Sequence, residues 1–254
     1  MKKKPKISII IPYYKKREYI QKTLNSVFAQ TYKNFEVLLI YDDKNLEDYF
    51  FIKRNFVKKK LRKKIRIILN KKNLGAGYSR NIGIKFSRGD YVAFLDADDI
   101  WHKTKLINQL TFMEKNSFKF THTSYKIINY KNNIQIRIAK ELDYNQIIKS
   151  CDIGLSTVMV CREILKNKFF PSLKTKEDYV MWLKIMNSGI KIHPLKKILA
   201  TWRETKNSLS SNTIQKLIDG YIVYRVYLKC NHLVSFINLI RLSVNYIIKK
   251  LINA

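Results

Sequence analysis

The sequence predicts an α/β fold: a mixed, mainly parallel sheet flanked by helices, with a helical extension at its C-terminal end. Three observations carry that expectation. Short apolar runs at residues 7–11, 36–41 and 91–95 have the length and β-branched content of buried parallel strands. Stretches with helical spacing lie between them. The second and third runs end in clustered aspartates, which places charge at the carboxyl edge of a sheet, where open α/β folds bind ligands.

Taken in order, residues 7–11 form the first strand and stop at Pro12. YYKKREYIQKTLNSVFAQ follows, with Ile20, Leu24, Val27 and Phe28 at helical spacing. EVLLIY is the second strand, tipped by Asp42 and Asp43, and strand–helix–strand with acids at the tip is a βαβ unit of nucleotide-binding type. Tyr14 lies just past the first strand, where a ring can stack on a base or simply pack. Asp42 or Asp43 can accept from a base imide or a ribose hydroxyl, or else close a turn. Residues 44–64 read as a basic helix leading into a third strand, IRIILN; such a run is usually a solvated face and can also rest on anionic lipid. In NLGAGYSRNIGIKFS, Gly75 and Gly77 permit close backbone approach ahead of a helix with Arg80 at its beginning. The spacing fits neither the dinucleotide fingerprint nor the P-loop, although a glycine turn feeding a helix can contact a diphosphate through backbone N–H groups.

The stretch GDYVAFLDADDIW organises the chain. Asp96 and Asp98 flank the small Ala97, so both carboxylates can converge on one hard cation that holds a phosphate-bearing substrate. The bland alternative is an N-cap for the helix expected at 102–115, but one carboxylate suffices for a cap and here three stand within four positions. Beyond it, residues 118–138 predict two antiparallel strands joined near 131–133, then a short helix and a strand followed by a turn. Glu177 and Asp178 open an amphipathic helix with Val180, Leu183 and Ile185 inward. A carboxylate there favours the helix dipole and can also serve as a general base. Arg203 follows a further apolar strand and is suited to a diphosphate. From about residue 213 the chain reads as helical, with Leu233, Phe236, Ile237, Ile240, Val244, Ile247, Ile248 and Leu251 on one stripe. That stripe fits a membrane interface or packing against the rest of the chain.

Composition bounds the function. Lysine and arginine number 50 against 19 acids, a net charge of +31, which points to a polyanionic partner: nucleic acid, an anionic membrane face or phosphorylated substrates. The three cysteines have no metal-ligand spacing and read as reduced thiols of a cytoplasmic protein. No secretory signal and no uncharged membrane-length run is expected, so the chain is expected in the cytoplasm, free or peripheral on the inner membrane face.

In order, ISIIIPYYKKREYIQKTLNSVFAQTYKNFEVLLIYDD, NLGAGYSRNIGIKFSRGDYVAFLDADDIW, KEDYVMWLKI and LATWRETKNSLSSN resemble a family 2 glycosyltransferase of GT-A, Rossmann-like fold, of the bacterial surface-polysaccharide type. The resemblance covers residues 5–212, with 1–115 as the nucleotide half, 116–212 as the acceptor half and 213–254 as a basic helical extension. It implies that Pro12 shapes the first loop, Tyr14 lies beside the nucleobase, and Asp42 or Asp43 holds base and ribose. Lys44-Asn45 departs from the Gly-Ser usual after that pair. Gly75 and Arg80 would lie near the nucleotide, Asp96-Ala97-Asp98 would be the D-x-D, and Asp98 foremost, with Asp96, would hold Mn²⁺ or Mg²⁺. Asp178 would be the catalytic base beside Glu177, and Arg203 a diphosphate contact. The implied reaction is inverting transfer from a nucleotide sugar, UDP-linked, to a hydroxyl of a saccharide or lipid-linked acceptor. The competing reading is a basic nucleic-acid-binding protein without catalysis. Clustered acids and the lack of a nucleic-acid motif speak against it, so no nucleic-acid partner is expected.

Overall fold

Residues 7–13, ISIIIPY, alternate between two apolar layers, and this alternation sets the architecture. The computed structural model describes residues 5–57, 64–205 and 212–252. Strand β1 (Ile7–Tyr13) pairs in parallel with β2 (Phe35–Tyr41) on one side and β4 (Tyr91–Phe94) on the other, and β3 (Ile65–Leu69) extends the sheet beyond β2. Ile10, Leu38, Val92 and Phe94 point into one layer, and Ile9, Ile11, Val37 and Leu39 into the other. Period-two alternation in a strand buried on both faces requires apolar residues at every position, hence the continuous runs in the sequence.

The first strand runs past Pro12 to Tyr13. Ile10 O accepts from Leu95 N, whereas Tyr13 O accepts from Asp42 N. Residues of a strand bond alternately to left and right, so Pro12 faces the β4 side, where the pairing has already ended at Ile10. Its missing N–H therefore costs no ladder bond.

Helices α1 (Arg17–Phe28) and α4 (Lys105–Lys115) contribute to the layer that holds Ile9, with Ile52 of α2 (Glu47–Ile52). The basic helix expected over 44–64 is described as α2 and a wider π-helical turn to Val57; residues 58–63 lie outside the described part. Against the Ile10 face lie α3 (Ala76–Phe86), α5 (Tyr144–Lys149) and α6 (Glu177–Asn187). Helix α6 is expected to be amphipathic, yet Tyr179, Val180, Met181, Trp182, Leu183 and Ile185 are all buried. Covered on nearly every side, it places its N-terminus with little freedom.

The second half adds β6 (Phe120–Ile128), which forms the expected antiparallel hairpin with β7 (Ile134–Arg137), together with β8 (Met159–Cys161) and β9 (His193–Arg203). The sheet order is β3-β2-β1-β4-β8-β6-β9-β5, with β7 beside β6, so one mixed sheet joins both halves. Strand β5 (Ile100–Trp101) pairs with β9 and had no sequence signal, since two residues are too few for a pattern. Helices α7 (Thr213–Ile222) and α8 (His232–Ile252) follow. The thiols of Cys151, Cys161 and Cys230 are free.

Lys105 of α4 is fully buried behind the β4 tip. Its Nζ donates to Gln109 Oε1 at 2.7 Å and lies 4.2 Å from the Trp101 ring centroid. Among the described residues no carboxylate pairs with it, and burial lowers its pKa from 10.5 to about 7. A lysine whose folded pKa lies below its unfolded value gives up its proton first in the folded state, so stability rises with pH between those two values. We expect the melting temperature of Lys105→Met to lack this component: the gap between variant and wild type should change steadily from pH 7 to 10. A constant gap in calorimetry would contradict a neutral buried amine.

Candidate active site

The carboxyl ends of β1, β2 and β4 and the N-terminus of α6 converge. At the β2 tip the two adjacent aspartates have different tasks. Asp42 is buried and accepts from Leu74 N and Gly75 N, both at 2.8 Å, and from Asn70 Nδ2 at 2.7 Å. This carboxylate pins the turn that leads into α3, where Gly75 takes a left-handed φ of 84° that favours glycine. Asp43 is half-buried and lines a cleft of about 530 Å³ with Tyr14, Lys15, Lys44, Asn45, Glu47, Asp48 and Asn73. Tyr14 is exposed there, while Tyr13 beside it is buried, stacked on Tyr41 at 5.1 Å and hydrogen-bonded to Asp48 at 2.5 Å. Lys15, at φ 48°, makes the turn between β1 and α1.

Gly77 is required by close approach, but to protein. A Cβ there would stand 2.7 Å from Pro171 O and 3.3 Å from Glu177 Cγ. That contact brings α3 against the start of α6 and lets Arg80 reach both acidic motifs. Its guanidinium donates to Asp96 Oδ1 at 2.8 Å and Glu177 Oε1 at 2.6 Å and is only 4% exposed. Arg80, expected near the nucleotide, is enclosed between the Asp96 and Glu177 carboxylates. Burial raises Glu177, with Arg80 opposing, and raises Asp178 for the same reason. Lys176 precedes them at a left-handed φ of 62°, turning the chain sharply into the helix. Asp178 is half-buried and accepts from Tyr179 N at 2.7 Å; its charge, together with burial, also pushes the Cys151 thiol up.

The D-x-D carboxylates are separately paired. Asp96 meets Arg80, and Asp98 Oδ2 lies 2.6 Å from Lys16 Nζ, which also donates to Thr205 Oγ1 at 3.0 Å. Burial and the neighbouring Asp96 raise the Asp98 carboxyl, and Lys16 opposes the rise. Ala97 is buried and its carbonyl accepts from Thr23 Oγ1. Asp99 faces inward, accepting from Ser156 Oγ at 2.5 Å and Arg203 N at 3.1 Å. Arg203, expected at a diphosphate, donates through Nε to Asp98 O and through Nη2 to Thr23 Oγ1, and packs over Tyr19. It braces the D-x-D turn from behind.

A model of the family described as glycosyl transferase family 2 matches residues 8–167. The chain belongs to this family. It is a glycosyltransferase of mixed, mainly parallel GT-A sheet architecture. A putative teichuronic acid biosynthesis glycosyltransferase, TuaG, of Bacillus subtilis is 32% identical, over 87% of this chain and 88% of its own. WfaP of Escherichia coli, a UDP-Glc:alpha-D-GlcNAc-diphosphoundecaprenol beta-1,3-glucosyltransferase, is 34% identical, over 96% of this chain and 94% of its own. Among solved structures, S. aureus TarS 1–349 in complex with UDP-GlcNAc superposes with a TM-score of 0.74 and 25% identity, over 92% of this chain and 70% of that one.

For this glycosyltransferase, Lys16, Ser156, Asn70 and Thr23 were missed by sequence reasoning. No local pattern marks a residue that acts by bonding to a distant loop. The two β2-tip aspartates should separate in stability. Asp42→Ala strands the Leu74 N–H and leaves Gly75 N only its longer bond to Asn73 Oδ1, so it should cost about 1–3 kcal/mol in urea unfolding, whereas Asp43→Ala should change stability by no more than about 0.5 kcal/mol. Equal losses would show that both carboxylates are structural.

Proposed function

We propose that this glycosyltransferase moves a sugar, with inversion, from a UDP-linked donor to a hydroxyl of a saccharide or lipid-linked acceptor in cell-surface polysaccharide synthesis. The observation that carries the reading is the Arg80 bridge, which ties the D-x-D to the Glu177-Asp178 pair. Donor-side and acceptor-side carboxylates are thereby fixed relative to each other. The names of TuaG and WfaP support a cell-surface product and a lipid-linked acceptor, and UDP-GlcNAc in TarS supports a uridine donor.

On this reading residues 1–212 are the transferase unit and 213–254 an appended helical element. The base lies between Tyr14 and Asp43, with stacking from the ring and hydrogen bonds to the carboxylate. Asp42 and Gly75 serve indirectly by shaping the turn, Pro12 by ending the ladder ahead of the loop. Arg80 and Arg203 are positioning residues for the acids rather than ligands of the diphosphate.

The residues present fit a divalent cation of the Mn²⁺ or Mg²⁺ type. Among the described residues no three His, Cys, Asp or Glu side chains gather to cage a metal. Such ions are typically held by one or two carboxylates, with substrate phosphates and water supplying the rest. Asp98 would hold it, with Asp96 nearby, and the Lys16 ammonium on Asp98 marks a position already suited to positive charge. When bound, the ion supplies Lewis-acid neutralisation of the departing diphosphate. Asp178 takes the proton of the attacking hydroxyl, and burial, by raising its pKa, makes it a stronger base than an exposed aspartate.

Asp98→Asn and Asp178→Asn should each lower kcat by about a hundredfold or more while the fold survives. Near-normal turnover by either variant would remove that residue from its role. Because Asp178 must be ionised to act, kcat/KM should fall as pH drops through a value above the ordinary aspartate range, 3.8. An acid limb at or below that value would contradict the assignment. A thermal shift with UDP, GDP and dTDP, each with and without Mn²⁺, should single out UDP with Mn²⁺, and Asp43→Ala should weaken it. A preference for GDP or dTDP would reassign the donor.

A further inference from the structure

Helix α8 packs through Ser235, Leu239, Leu242 and Asn245 and leaves its opposite side bare. Ser235 and Leu242 are buried, Leu239 approaches Gly220 of α7, and Asn245 Nδ2 donates to Lys149 O at the end of α5. Leu233, Phe236, Ile240, Val244 and Ile247 recur at helical spacing on the opposite side, and all are exposed, Leu233 at 70%. Ile214, Leu217 and Ile218 of α7 are exposed as well.

The charge around this face is one-sided. Lys216 lies 5.3 Å over the ring of Tyr246 on α8 and Arg241 is exposed on the same helix, whereas residues 213–254 contain a single acid, Asp219. Asp219 is buried and accepts from Thr175 N and Oγ1, both at 2.8 Å. Two copies meeting through this face would set basic rims against each other, whereas an anionic lipid surface complements them. No helix among the described residues is long and apolar enough to cross a membrane, so the geometry is that of a helix lying in the interface plane.

We propose that the exposed apolar face of α8, with its basic rim, docks the protein on an anionic lipid bilayer. Helix α8 rests against the acceptor half, where Asn245 Nδ2 donates to Lys149 O at the end of α5. Docking there would bring the acceptor half towards the lipid surface, where a lipid-linked hydroxyl would be presented. That last step rests on the proposed function; the docking itself does not.

Sedimentation with phosphatidylcholine vesicles, with and without phosphatidylglycerol, tests this on the wild type and on Ile240→Gln/Ile247→Gln. The substitutions leave the net charge unchanged, so general attraction by the basic chain is the same in both proteins. The wild type should prefer phosphatidylglycerol vesicles, and the double variant should bind them about tenfold more weakly or worse, with unaltered circular dichroism and melting. Absence of a wild-type preference, unchanged binding by the variant, or a wild-type dimer that the variant dissolves would each overturn the proposal. The UDP thermal shift, measured on both proteins, keeps the readings apart. Its loss in both would count against the transferase assignment alone, and the vesicle result would still decide docking.

Discussion

The arrangement of the site depends on one buried guanidinium. Arg80 comes from the helix after β3, Asp96 from the tip of β4 and Glu177 from the start of α6, segments far apart in sequence. A charge removed from water persists only when opposite charges and hydrogen bonds replace the solvent. Arg80 satisfies that condition only where both carboxylates reach it, and its requirement therefore fixes where β4 ends relative to α6. The close approach at Gly77 and the left-handed turn at Lys176 are the local conditions that permit this geometry.

The same reasoning sorts the acids of the site by what surrounds them. Asp42 and Asp99 are enclosed by donors, two of them backbone N–H groups in the case of Asp42, and act as staples between loops. Asp96 and Asp98 are each held by one basic side chain at the rim. Asp43 and Asp178 lie half-buried with short-range backbone donors. A chain of charge +31 thus concentrates carboxylates at the edge of its sheet and compensates them unequally. The least compensated are Asp43 and Asp178, the pair to which the proposed function gives the nucleobase and the proton transfer.

Much of the architecture was legible because strand burial writes itself into consecutive residues. The runs at 7–11, 36–41 and 91–95, the hairpin turn near 131–133 and the helix opening at Glu177 all follow from local pattern. The acidic tips were legible for the same reason. Partners were not: Arg80 and Arg203 look alike to any reading by residue type, since an arginine beside a phosphate site suits a phosphate. Only the fold shows that Arg80 is enclosed by Asp96 and Glu177, and that Arg203 is spent on Asp98 O and Thr23. The same limit applied to Asp42 and Asp43, adjacent in sequence but separated by the alternation of the chain as it leaves β2.

The C-terminal helix shows how a periodic stripe can be read correctly and still leave its direction open. The sequence offers Leu233 to Ile248 as one apolar face, which suits a core as well as a lipid surface. Direction is decided by the neighbour. Gly220 of α7 leaves room for Leu239 and Leu242 of α8, and Ser235 is buried on the same side. The stripe from Leu233 to Ile247 is then turned outward by the packing of the opposite side. Burying the outer stripe instead would expose Ser235 and Leu242. An apolar face kept outward next to lysines and arginines has only a solvent penalty unless something apolar and anionic covers it.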